Sequence, residues 1–326
     1  MQTPGSKSDL TSMWGVAPIA PIHLGYDSLA VHQRALSGRG YKHILLMADI
    51  HAMMSNGLTW KDINSRRMYY EYYFTQICGI QSDCIYGSSF QTRPGYTEDL
   101  YFLLSQLPFE AVRDSKQAGD EKPTSAWVVY AIMQCLDIAH IAPKVDLIIA
   151  EPGQKRIYRL LDAMKEIKTI QANRPLIPGI FDISPSFEYV DYCHDIFGRP
   201  LSESTSNSRI SVHDSPITLR RKISKMNAPE KQKKTGERIN ALLEHYKNSV
   251  FPWNPLVKVL AAGKDHDYTK YEDFELDYLS GAIHPNDARE SLFNYLESRL
   301  REIQRGFEKG ITNWIDLTRL QLPSDY

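Results

Sequence analysis

The sequence predicts an α/β protein: a parallel, doubly wound sheet in the first two thirds of the chain and a helical domain after it. Two observations carry that expectation. Through the first two hundred residues, short and continuously apolar runs alternate with stretches of helical period, the pattern of strands covered by helices on both faces. After about residue 213 the strand-like runs stop and helical patterns follow one another. The length of 326 residues, about twice a typical single domain, agrees with a division into 1–212 and 213–326. With 42% hydrophobic residues and a net charge of −1, a disordered chain is excluded. Lys and Arg number 38 against 39 Asp and Glu, so no basic field covers the molecule. DNA binding is therefore not expected, and contact with any nucleic acid has to use a local patch.

The elements follow in order. Met13–Ala17 is a short apolar run, closed by proline-rich turn residues, and a helical pattern extends from about Leu24 to Leu36. His43–Ala48 (HILLMA) is apolar throughout, as a strand buried on both faces must be. A helix is expected over Trp60–Cys78, a strand over Cys84–Gly87 and a helix over Tyr96–Leu107. Residues 114–124 (DSKQAGDEKPT) form a polar excursion, after which Ala126–Ile141 reads as helix, Val145–Ala150 as strand and Gln154–Ile167 as helix. Beyond it, Pro216–Lys225, Glu230–Tyr246, Pro255–Ala262, Tyr271–Ser280 and Pro285–Glu308 all read as helices.

Cys78, Cys84, Cys135 and Cys193 form no CxxC pair and no paired framework, so they read as reduced thiols, and no metal centre is expected. The opening MQTPGSKSDL has no apolar signal core, and no stretch approaches 18 apolar residues. A soluble, cytoplasmic protein without membrane contact is the expectation.

Chemistry first surfaces at Pro21-Ile22-His23-Leu24-Gly25-Tyr26. Histidine and glycine at a helix opening, just after the first strand, suit a nucleotide phosphate: backbone N–H groups face it, glycine permits close approach and the imidazole donates. The same dipeptide pattern also occurs at ordinary helix starts. Here it has company. GVAPIAPIHLGY resembles the HIGH segment of the class I aminoacyl-tRNA synthetases, and specifically the archaeal and eukaryotic tyrosyl-tRNA synthetase group. ILLMADIHAMMSN, IYGSSFQTRPGYT, YAIMQCLDIAHIAPKVDLII, GQKRIYRLLDAM and AIHPNDARESL resemble further segments of that family, in the same order, from about Met13 to about Arg305. The resemblance implies a class I synthetase Rossmann-type sheet with a helical C-terminal domain, and a connective insertion near residues 105–128.

It also implies an amino-acid pocket. Tyr130, Gln134 and Gln154 match the positions that bind the substrate α-amino group, and a phenol with two amides does supply an ammonium with neutral oxygen acceptors. Tyr130 and Gln134 are spaced i, i+4, so one helix face presents both. Asp137, three residues on, matches the acceptor of the tyrosine phenol. A buried carboxylate is expensive unless paired, which favours a ligand that donates and rejects one that does not. His51 and Gln91 match pocket-lining positions. His23, Leu24, Gly25 and Tyr26 match the ATP-binding segment, with His23 and Gly25 in catalytic positions. The activity implied is ATP-dependent activation of tyrosine or a related aromatic amino acid as an adenylate, with Mg²⁺ accompanying ATP and a homodimer as the assembly.

The sequence departs from the family where phosphate and tRNA are held. The KMSKS motif becomes Leu201-Ser202-Glu203-Ser204-Thr205-Ser206, without lysine, so that Ser204 alone marks the ATP side of the loop. Arg199 and Arg209 flank it and are both expected within reach of phosphate, although arginine does not replace lysine automatically, and Arg199 is counted with His23 and Gly25 among the catalytic candidates. Met13 stands where the family places a second phenol ligand, Ala17 replaces an acidic residue, Tyr26 replaces the second histidine of HIGH, and Ala150-Glu151 replaces a glycine pair near the ribose. Twelve residues precede Met13, where the family usually carries helices. The insertion keeps Arg113 and Lys116 among acids. Lys155 replaces an acceptor-reading arginine. His284 and Asp287 fall at anticodon-reading positions, although HPxD also caps a helix, and Ala262 stands in place of an aromatic. The strongest basic cluster is Arg220, Arg221, Lys222 and Lys225, followed by Lys231, Lys233 and Lys234, and tRNA binding is expected to be weak and salt-dependent. The acceptor is accordingly tRNA or, in a specialised biosynthetic paralog, a small-molecule amine or hydroxyl. The alternative is a catalytically inactive paralog that binds an amino acid or RNA.

Overall fold

In the computed structural model of the chain, the described residues are 10–56, 58–115, 125–141, 145–167, 185–190, 194–199, 207–228 and 240–311. Cys193, Lys116, Ser204, Lys231, Lys233 and Lys234 lie outside them. The chain forms two compact units: Met1–Ile19, Arg34–Glu71 and Ile80–Val190 make the first, and Ala20–Gln33, Tyr72–Gly79 and Asp191–Tyr326 the second.

The first unit is built on a five-stranded parallel sheet. Its strands are β1 (Thr11–Val16), β2 (Lys42–Met47), β3 (Ser82–Tyr86), β4 (Leu147–Ala150) and β5 (Ser186–Tyr189), in the order β3-β2-β1-β4-β5. β1 pairs with β2 from Thr11↔Lys42 to Val16↔Met47 and with β4 from Ser12↔Leu147 to Trp14↔Ile149. β4 is buried along its whole length and β2 at all but Lys42, as parallel strands sandwiched between helices require. The order reverses between β1 and β4, so the crevice beyond their carboxyl ends is the place where such sheets bind ligands. Helices α2 (Asp49–Asn56), α3 (Trp60–Tyr72), α4 (Ser88–Gln91), α5 (Pro94–Gln106), α6 (Phe109–Asp114), α7 (Ser125–Ile141) and α8 (Lys155–Glu166) complete this unit. Met13, Leu46 and Ile148 from the strands pack with Ile132, Leu136 and Leu160 from α7 and α8 in one buried cluster. His43 is the one buried polar side chain of β2, and Ser12 Oγ (2.5 Å) and Ser37 Oγ (2.7 Å) satisfy its two ring nitrogens.

The start of α1 (Gly25–Gly38) belongs to the second unit, with α9 (Pro216–Ser224), α10 (Ala241–His245), α11 (Tyr271–Ser280) and the 26-residue α12 (Pro285–Gly310). Three of these helices, α9, α10 and α12, begin where their capping chemistry stands. Ser215 Oγ accepts Thr218 N–H (3.2 Å), Asn240 Oδ1 accepts Leu243 N–H (3.1 Å) and His284 Nδ1 accepts Asn286 N–H (3.2 Å), with proline at the first position of α9 and α12. The unit's interior holds a buried ion pair. Asp27 accepts from the Tyr73 hydroxyl (2.8 Å) and from Arg299 Nη2 (3.4 Å), and the Arg299 guanidinium lies 3.8 Å from the Trp253 ring centroid.

One expected helix is a hairpin. Residues expected as helix over Pro255–Ala262 instead form β6 (Val257–Ala261), antiparallel to β7 (Lys264–Tyr268). The buried–exposed alternation of Val257-Lys258-Val259-Leu260-Ala261 has period two, which a strand with one covered face needs. The turn is Ala262-Gly263, with φ of 49° and 77°. Both residues sit in the left-handed region that two-residue hairpin turns demand, and alanine at the first of them carries none of the usual Asn-Gly signal.

Three histidines of the second unit are held neutral by burial: His23 is pushed down to about 3, and His213 and His245 to about 4. Neither ring nitrogen of His245 has a hydrogen-bond partner among the described residues. A histidine with a lowered folded-state pKa leaves the unfolded chain to take up the proton, so its contribution to stability is lost as pH falls below about 6.5. At pH 5 that linkage amounts to about 2 kcal/mol for His245 and at pH 8 to nothing. Chemical denaturation of His245→Leu at both pH values should therefore show a gap between them that is smaller by about that amount. An unchanged gap would mean that His245 is charged in the native state.

Candidate active site

The crevice at the β1/β4 switch point is a cavity walled by Gly15 and Ala17 of the β1 segment, Leu46 and Ala48 of the β2 segment, and Ile138 and Ile148. Six of the residues singled out from the sequence line this same cavity: Met13, His51, Tyr130, Gln134, Asp137 and Gln154. They arrive from β1, α2, α7 and the turn before α8, so the fold brings together what the sequence scatters over 140 positions.

Asp137 is the buried charge of this cavity. Gln91 Nε2 donates to both of its oxygens (2.7 and 2.8 Å), the Tyr96 hydroxyl donates to Oδ1 (2.7 Å), and His51 Nδ1 lies 3.8 Å from Oδ2. Burial pushes the Asp137 carboxyl above its ordinary range, against the pull of His51, Gln91 and Tyr96. Burial likewise pushes His51 below its ordinary value, although Asp137 and the Tyr130 backbone raise it, and its ring packs edge-on to Tyr130 at 4.5 Å. Gln91 is itself fixed from behind. Asp49, fully buried at the start of α2, accepts Ser88 N–H (2.7 Å), Ser88 Oγ (2.6 Å) and Arg67 Nη1 (3.0 Å), which pins α4. Gly87 precedes α4 at φ −51° and ψ −45°, a conformation open to any residue. Its glycine serves space alone: a Cβ there would lie 2.6 Å from Gln91 Oε1 and 3.0 Å from Asp49 Oδ1.

The other end of the cavity carries the neutral acceptors. Gln134 Nε2 donates to the Tyr158 hydroxyl (3.1 Å), which orients the amide so that its oxygen remains for a donor. Gln154 Oε1 accepts the Glu151 N–H (3.1 Å), closing the turn between β4 and α8 and leaving one lone pair. Glu151, in the place of the family's glycine, is pushed up to about 7 by desolvation. Tyr96 and Tyr158 are functional neighbours that the residue-by-residue reading missed. Tyr158 was signalled by its i, i+4 spacing from Gln154; Tyr96 lay inside a segment already matched, with nothing local to mark its reach of 41 positions to Asp137.

The remaining candidates lie in the second unit, except Lys155 in the first. His23 and Ser211 form an antiparallel bridge, with Leu24 N–H donating to Ile210 O (2.9 Å) and Val212 N–H to Ile22 O (3.0 Å). The segment that opens α1 is thus paired with the one that follows the eroded lysine motif. The His23 ring stacks on Tyr26 at 4.4 Å, and Gly25 begins α1. Arg199, counted among the catalytic candidates, is engaged elsewhere: its Nε (2.9 Å) and Nη2 (2.7 Å) both donate to Asp195 Oδ2. The basic cluster expected at Arg220–Lys225 is broken in the same way. Lys222 is buried on Asp214 (2.8 Å) and Arg220 pairs with Glu290 (2.6 Å), because the helical period turns successive cations to different neighbours. His284 caps α12 and Asp287 lies in its first turn, while Lys155 Nζ sits 5.7 Å over the Tyr189 ring.

Comparison with known proteins agrees with this geometry. Residues 6–301 match the family model described as tRNA synthetases class I (W and Y). The tyrosine–tRNA ligase of Methanopyrus kandleri is 27% identical over 92% of this chain and 89% of its own length, and that of Halobacterium salinarum is 28% identical over 89% of each. The crystal structure of tyrosyl-tRNA synthetase from Archaeoglobus fulgidus, complexed with L-tyrosine, superimposes with a TM-score of 0.76 at 25% identity, covering 92% of this chain and 90% of that one. The chain belongs to the class I tRNA synthetases of the tryptophan and tyrosine group.

Proposed function

We propose that this chain is a tyrosine–tRNA ligase, which activates tyrosine with ATP as tyrosyl-adenylate and passes the tyrosyl group to tRNA. The observation that carries this reading is Asp137, a buried carboxylate whose Oδ1 is filled by Gln91 and Tyr96 while Oδ2 keeps room for one more donor. A tyrosine phenol supplies that donor, and phenylalanine leaves the carboxylate short of it. The neutral oxygens of Tyr130, Gln134 and Gln154 suit the α-ammonium at the other end. Tyrosine–tRNA ligases that align along nine tenths of the chain support the reading over that of an inactive binding module, and support tRNA over a small-molecule acceptor.

In the reaction, a carboxylate oxygen of tyrosine attacks the α-phosphorus of ATP in line, the bond to the bridging oxygen breaks and pyrophosphate departs with the electron pair. No protein nucleophile is needed, so positioning and charge stabilisation do the catalysis. His23, neutral at working pH, donates to phosphate as imidazole, and Mg²⁺ enters with ATP. Tyr101 and Phe109, two thirds exposed on α5 and α6 beside the insertion, support a homodimer, and the site of action is the cytoplasm.

Tyrosine-dependent ATP–pyrophosphate exchange, followed by charging of tRNA specific for tyrosine, tests the activity. Exchange with tyrosine well above phenylalanine is expected, and equal rates would end the tyrosine assignment. Gln154→Ala should weaken tyrosine binding by about tenfold or more in calorimetry, since one hydrogen bond to a charged group contributes about 1.5–3 kcal/mol. Tyr158→Phe frees the Gln134 amide to turn, and a several-fold loss of affinity with no change in thermal stability is the expected signature. Gly87→Ala should displace Gln91 and narrow the tyrosine-over-phenylalanine ratio about tenfold; a variant that folds and discriminates normally would show that Gln91 does not set the ratio.

A further inference from the structure

We infer that Arg209 supplies the cation for the departing pyrophosphate, in place of the lysines that the eroded motif lacks. The inference rests on the activation reading above and adds one residue to it. Its geometry comes from the pairing of two segments. His23 and Ser211 face each other as a non-hydrogen-bonded antiparallel pair, bounded by the bonds Leu24 N–H to Ile210 O and Val212 N–H to Ile22 O. Such pairs bring side chains closest, and residues two apart along a strand share a face. Arg209 immediately precedes Ile210, whose carbonyl accepts the Leu24 N–H (2.9 Å), so its backbone lies beside the segment His23-Leu24-Gly25 at which α1 begins.

The backbone at this point is held firmly. Lys222, buried on Asp214, donates its third bond to the Arg209 carbonyl (2.7 Å). His23 Nδ1 is buried without a hydrogen-bond partner among the described residues, and the residue as a whole is 8% exposed. A polar atom so placed suits a ligand that brings a partner to it. The Arg209 charge is felt at that ring, where it adds to burial in keeping the imidazole neutral. A neutral imidazole, an arginine and a helix start on neighbouring, hydrogen-bonded segments supply the groups of an anion site of the kind phosphate takes. Arg199 does not compete for the role, since Asp195 holds it through two nitrogens. A guanidinium accepts two phosphate oxygens at once, whereas lysine meets them as a point charge, so the substitution changes the geometry of the contact while keeping its sign.

Two measurements decide the assignment: calorimetric binding of inorganic pyrophosphate and tyrosine-dependent exchange. Arg209→Ala should weaken pyrophosphate binding at least tenfold and lower exchange kcat by about 10²–10³-fold, with the tyrosine dissociation constant unchanged. Arg209→Lys should recover part of both, and Arg199→Gln should leave pyrophosphate binding within about threefold of the parent protein. If Arg209→Ala fails to fold, Arg209→Gln takes its place. Pyrophosphate binding unaltered by loss of Arg209 overturns the assignment whatever the exchange assay reads. A parent protein that binds pyrophosphate through Arg209 but exchanges nothing with tyrosine overturns the activation reading and leaves this one standing.

Discussion

The buried carboxylate of Asp137 is the constraint to which the first unit answers. Buried from water, it demands donors, and each donor must then be held in place. Gln91 and Tyr96 provide three contacts under 3 Å, and neither is local in sequence. Gln91 closes a one-turn helix that another buried carboxylate, Asp49, grips at its start. Gly87 leaves the space in which the amide folds back. Remove any link and the carboxylate loses its geometry before it loses its charge. A site of this kind selects its ligand by what is left unpaired, which a pocket shaped only by apolar contact cannot do.

The sheet order explains why the pocket stands where it does. β1 sits at the centre with β2 on one side and β4 on the other, so the chain departs in opposite directions from neighbouring strand ends. A crevice follows from that topology irrespective of side chains. The chemistry is then added by whichever residues fall just beyond those ends: Ala17 after β1, Ala48 and His51 after β2, Gln154 after β4. The small residues among them keep the crevice open.

How far the sequence discloses this depends on the range of the interaction. The parallel sheet was legible because a doubly buried strand has to be apolar along its length, as His43–Ala48 is. Tyr130, Gln134 and Asp137 were legible because one helix carries them at spacings of four and three. The β6–β7 hairpin was not: Ala262-Gly263 turns without the residues that announce such turns, and a six-residue run ending in two alanines fits a helix as well as a strand. Partners that depend on tertiary approach escaped in the same way. Nothing near Tyr96 points to Asp137, 41 positions on; Asp214 and Asp195, by contrast, stand only eight and four residues before Lys222 and Arg199, local pairs that a count of cations passes over. Charge counted along a sequence overstates the charge that is available on a surface.

The contrast between what this chain keeps and what it lets go has a physical origin. The pocket around Asp137 works through distances of 2.6–3.0 Å among six residues, and one substitution disturbs the next. Such a cluster changes together or not at all. Stabilisation of a departing polyphosphate is a different demand, because a multiply charged anion accepts a cation from several directions. The pairing between residues 22–24 and 210–212 holds the segment after the eroded motif beside the start of α1. A lysine lost at one point of that segment is replaceable by an arginine a few residues on, provided the backbone pairing survives. The pairing is therefore the element under constraint, and the identity of the cation follows from it.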